Sequence, residues 1–122
     1  MGFNVVATAT SLAGLVLGIG WALGGARLLR RWGMEAHADG LLAGRRLGAA
    51  YLGIALMLFL GRSAPASRMR DAVCAGMLCA LVLMAASGVV EFKAGRVRAG
   101  ILASVVLEAV LALGFGWVLV TG

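Results

Sequence analysis

Residues 99–120 read AGILASVVLEAVLALGFGWVLV, an apolar run whose single charge is Glu108. At a rise of about 1.5 Å per residue, Glu108 sits nine residues beyond Ala99, roughly 13 Å along the helix. That is near the middle of a hydrocarbon layer about 30 Å thick. An ionised side chain at such depth persists only when it is neutralised, paired, or turned toward protein or water, so intramembrane acids mark functional sites. Glu108 is therefore the first candidate.

The remainder of the chain fits the same setting. Apolar residues make up 62% of its 122 residues and charged ones 13%, far from the roughly 25% charge of soluble domains. The charges divide the sequence into four apolar runs, which predicts an all-α, four-helix transmembrane bundle with short connections. The expected spans are 4–28, 41–62, 70–92 and 97–120, all within one domain, 1–122. The second run is free of charge only from Leu47 to Gly61, so its span requires Arg45 and Arg46 to snorkel to the headgroups. Pro65, the only proline, marks the polar tract Arg62 to Asp71 as a turn. The first run has no basic leader and exceeds the usual 7 to 15 residue core of a signal peptide, so it reads as a retained span.

Lys and Arg distribution sets the orientation. The first connection and its flanks hold Arg27, Arg30, Arg31, Arg45 and Arg46, and the third holds Lys93, Arg96 and Arg98. The second holds Arg62, Arg68 and Arg70. The positive-inside rule places the first and third connections in the cytoplasm and both termini outside. A multi-pass protein of the bacterial inner membrane is expected, with Arg27, Arg30, Arg31, Arg45, Arg96 and Arg98 facing anionic lipid headgroups. With no basic patch away from the helix flanks, nucleic acid is not an expected partner.

Apolar helices gain little hydrophobic drive from meeting in lipid, and small residues spaced four apart allow the close approach that replaces it. Gly14, Gly18, Ala22 and Ala26 form such a ladder on the first helix, with Gly20 and Gly24 on another face. Ala72, Gly76 and Ala80, with Gly88 further along, do so on the third. On the fourth, Gly100, Ser104, Glu108, Ala112 and Gly116 form one stripe, while Leu102, Val106, Val110 and Leu113 point elsewhere. Glu108 should thus face another helix. Candidate partners are Arg46, on a face of the second helix with Ala49 and Gly53, the Tyr51 hydroxyl, and Ser104, Ser87 or Ser11. Glu91 reads as an interfacial acid beside Lys93.

Other chemistry is sparse. Glu35, His37 and Asp39 alternate in the first connection but supply one imidazole and two mobile carboxylates, which suits a solvated loop better than a metal site. Cys74 and Cys79 read as small buried apolar residues. No histidine lies in a span to hold a haem, and no P-loop or Ser-His-Asp set occurs, so neither cofactor nor enzymatic activity is expected. Ala43-Gly44-Arg45 and Ala94-Gly95-Arg96, at the starts of the second and fourth helices, suggest two hairpins in parallel repeat.

The tract Arg45-Arg46-Leu47-Gly48 through Leu60-Gly61-Arg62 resembles the second helix of small uncharacterised four-span bacterial membrane proteins. That resemblance implies the four-span fold and no particular activity. The glycine ladders point to a non-enzymatic packing or accessory subunit, homo-oligomeric or bound within a larger membrane complex. The other expectation is a small oligomeric transporter or channel with Glu108 as its proton or cation site. Orientation is tested by single cysteines at Glu35 and Ser63 in a chain with Cys74 and Cys79 replaced by Ala. An impermeant maleimide added to intact cells should label the second and spare the first.

Overall fold

The computed structural model describes residues 2–122. They form four helices, α1 (Phe3–Arg31), α2 (Ala38–Leu60), α3 (Arg68–Lys93) and α4 (Ile101–Thr121), each long and apolar enough to cross a membrane. All four depart from the expected bounds, α1 by running on to Arg31. α2 begins at Ala38, before Leu41, with Asp39 in its first turn, where a carboxylate favours the positive end of the helix dipole. α3 takes in Arg68 to Asp71, residues expected in the turn, because the Ser67 side chain caps it by accepting the Arg70 backbone N–H at 3.1 Å. α4 starts at Ile101 rather than near residue 97.

Two hairpins, α1 with α2 and α3 with α4, join along α1 and α4. The backbones of α2 and α3 do not approach one another among the described residues. The first and third connections share one end of the bundle, where the Trp32 carbonyl accepts the Arg98 N–H at 2.8 Å. At the opposite end Arg70 donates to the carbonyls of Ala64 at 3.1 Å and Gly122 at 3.0 Å. Its guanidinium carbon also lies 5.1 Å from the centre of the Phe3 ring.

The two ends are packed differently. Toward the termini, Phe3, Val6, Leu58, Cys74, Leu81 and Phe115 belong to one buried cluster drawn from all four helices, and Phe115 is entirely covered. Toward the first and third connections the helices leave a cavity. α1 meets α4 closely at two levels: a Cβ on Gly114 would lie 3.2 Å from Val6, and one on Gly100 would collide with the Arg31 carbonyl oxygen. Between those levels Leu17 and Trp21 of α1 stand across from Ser104 and Glu108 of α4, with open space between them.

The α1–α2 seam is the tightest in the bundle. A Cβ on Gly48 would come within 2.6 Å of the Gly18 carbonyl oxygen and 2.9 Å of the Ala22 nitrogen, and one on Gly44 within 2.6 Å of the Trp21 ring. Gly14 abuts Ala55 in the same way. The packing face of α2 is therefore Gly44, Gly48 and Ala55, all buried, while the face with Arg46, Ala49 and Gly53 is exposed. On α3, Gly88 packs against Val105, whereas Gly76 has nothing within 4 Å of a Cβ position. Gly116 only just reaches Leu78, at 4.0 Å.

Two smaller expectations fail. Cys79 is exposed, although Cys74 is buried. Gly44 lies inside α2, but Gly95 lies in a loop at a φ of 76°, a left-handed turn that favours glycine, so the two Ala-Gly-Arg tracts are not structural equivalents. α1 is bent at Gly24, whose φ of −126° is not helical. Replacing Gly48 by Ala forces backbone against backbone and should cost about 1–3 kcal/mol, lowering the thermal midpoint in detergent. Gly76→Ala, with open space around it, should leave the midpoint level or raise it.

Candidate functional site

Leucine, isoleucine, methionine and tryptophan side chains supply most of the wall of a cavity of about 350 Å³ on the α2–α3 side of the α1–α4 line, and the few polar groups in it are the sequence candidates. α4 contributes Ser104 and Glu108, one turn apart on one face. α2 contributes Tyr51 and α3 contributes Ser87. Trp21 and Trp32, edge to face with ring centres 5.2 Å apart, form the wall toward α1. Trp21 can occupy that position because the facing residue of α2 is Gly44.

Glu108 lies seven residues into α4, about 10 Å from the helix start. Of the bulky residues expected away from its stripe, Val106, Val110 and Leu113 are exposed, whereas Leu102 is half-buried. Glu108 forms neither a salt bridge nor a side-chain hydrogen bond among the described residues, whose ion pairs are His37 with Glu35 and Arg96 with Glu91. No Lys, Arg or His lines the cavity. The carboxylate is thus uncompensated by protein charge.

Its expected partners separate into two groups. Tyr51, Ser104 and Ser87 share the cavity with it; Arg46 and Ser11 do not. Arg46 is exposed on the outer face of α2, where a long side chain reaches the headgroups at little cost. Ser11 is buried and donates to the Ala7 carbonyl oxygen of its own helix at 2.8 Å. Tyr51 donates to the Met84 sulfur at 3.8 Å. This weak contact bridges α2 and α3, whose backbones stay apart.

The remaining charged groups are peripheral. Glu91 pairs with Arg96 and not with the expected Lys93, and the hydrogen bond and charge of the carboxylate raise the already high pKa of that exposed guanidinium. His37 Nε2 lies 2.9 Å from Glu35 Oε2, both in solvent, and Asp39 has moved into α2. No group of three His, Cys, Asp or Glu is placed to hold a metal among the described residues. Arg27, Arg30, Arg31, Arg45, Arg96 and Arg98 are exposed at the end of the bundle that holds the first and third connections.

Two features escaped sequence reasoning. The tryptophan pair was invisible because Trp21 and Trp32 are eleven residues apart on a helix that ends between them. The spacing of four between Gly44 and Gly48 was a readable signal, but α2 has small residues on several faces. Comparison with family profiles, curated proteins and solved structures gives no match, so the site is interpreted from its geometry. If the cavity admits solvent, Ser104→Cys should react with a small methanethiosulfonate reagent. Ser11→Cys, at a buried position of α1 outside the cavity, should react at least an order of magnitude more slowly.

Proposed function

We propose that this chain is a non-enzymatic integral membrane protein of the bacterial inner membrane in which Glu108 holds a proton or a cation inside the bundle, as a small transporter or channel subunit does. The supporting observation is the uncompensated carboxylate in a cavity that also holds a phenol and two hydroxyls. A carboxylate buried merely to fix helix register is best served by a partner that satisfies it, because an unpaired one costs several kcal/mol. Here its neighbours leave room for a ligand. The arginine-rich end of the bundle supports a cytoplasmic location for the first and third connections, and anionic headgroups as their neighbours.

A second reading has its own support. Ala72, Gly76 and Ala80 form an exposed stripe on α3, a surface on which a second copy or a larger complex could pack closely. In this reading the protein is an accessory subunit, and a native mass spectrum from mild detergent would show a defined oligomer or a co-purifying chain.

Glu108→Gln tests the first reading. Purified protein in liposomes with an internal pH dye should support proton or cation-coupled proton flux, and the variant should lose it while retaining its helical circular dichroism. Flux that survives the substitution overturns the reading.

A further inference from the structure

The residues that both line the cavity and lie on the surface locate its mouth. Leu83 is 64% exposed, Leu47 is 37% exposed and Ser87 is exposed, yet all three form part of the cavity wall. Leu47 belongs to α2 and the other two to α3, so the opening lies along the seam between those helices. This is the one pair of neighbouring elements in the bundle joined by no backbone approach. Among the described residues the one side-chain hydrogen bond across the seam is from the Tyr51 hydroxyl to the Met84 sulfur, at 3.8 Å, a weak bond to a flexible thioether. With α2 and α3 both spanning the membrane, that seam faces lipid sideways.

We propose that the cavity takes a lipid-soluble monoamine, a single ammonium group on a compact apolar body, which enters from the bilayer between α2 and α3 and binds Glu108. This specifies the ligand of the site proposed above and rests on that reading. Three features select the class. The negative charge of Glu108 has no protein partner, so a cationic head is the complement; its N–H groups also match the acceptors of Glu108, Ser104 and Ser87. Leucine, isoleucine and tryptophan side chains dominate the wall, which suits an apolar body and an ammonium near aromatic rings. A volume of about 350 Å³ is at the small end of ligand pockets, which admits one aromatic ring with a short amine chain and excludes larger polycyclic bodies. A mouth open to hydrocarbon favours a ligand that dissolves in lipid over a hydrated inorganic cation, which would have to shed its water there.

Phenylethylamine serves as the probe, with the protein in lipid nanodiscs and Trp117→Phe introduced so that the fluorescence comes from Trp21 and Trp32. The expected result is a saturable change with phenylethylamine and binding at least ten times weaker for methylammonium, which lacks the body, and for propylbenzene, which lacks the charge. Both comparisons use a protein whose cavity is intact. Glu108→Gln should weaken phenylethylamine at least tenfold, and Glu108→Asp should restore part of the loss. Alkylating Ser87→Cys with cyclohexylmaleimide plugs the mouth and should slow association severalfold. An unchanged association rate overturns the sideways route. Equal binding of propylbenzene overturns the cationic class. Should phenylethylamine not bind while Glu108-dependent proton flux persists, the ligand class is overturned and the proton or cation site stands; the loss of both overturns both.

Discussion

A carboxylate about 10 Å inside an apolar helix long enough to cross a membrane is the constraint to which the rest of the molecule answers. Transfer of an ionised group into hydrocarbon costs more than any single helix contact returns, so the bundle must provide protein, water or a counter-charge around Glu108. It provides a mostly apolar pocket with a few hydroxyl groups and no counter-charge. The arrangement places the burden on whatever occupies the cavity, a proton or a cation, and separates this acid from Glu91, which has Arg96 beside it at the membrane edge.

The pocket exists because packing strength varies along the bundle. At the end toward the termini, side chains from all four helices interlock around Phe115. At the other end the α1–α2 seam is closed by glycine against backbone, and α1 is pinned to α4 where Gly100 meets Arg31. These contacts hold the helices in place without filling the interval between them. Trp21 is central to this geometry: with Gly44 of α2 against its ring, it also forms the cavity wall with Trp32. A side chain at position 44 would therefore disturb both the seam and the site.

Much of the architecture is legible in the chain because charge in hydrocarbon is so costly that the apolar runs between arginines must be the helices. The direction of Glu108 is legible for the same reason, since Ser104 and Ala112 flank it on one face while Val106, Val110 and Leu113 occupy others. The inner face of α2 is not. Small residues occur around most of that helix, and Arg46 marks a face only if its charge must be buried; its long stem lets it reach the interface instead. Gly76 misleads similarly, for a glycine in a ladder permits close packing without compelling it. The cavity itself is illegible because it depends on where two helices fail to touch, a property of the assembled bundle and not of any local spacing. The same holds for Cys79, whose exposure is decided by the rotation of α3 against α4.

The Glu108 carboxyl looks into the bundle and not at acyl chains. Magic-angle-spinning NMR on protein labelled with ¹³C at glutamate, tyrosine and serine, in lipid bilayers, measures this directly. Through-space correlations from the Glu108 carboxyl carbon to Ser104 and to the Tyr51 ring are expected. Correlations to lipid methylenes, with none to Tyr51, would contradict it.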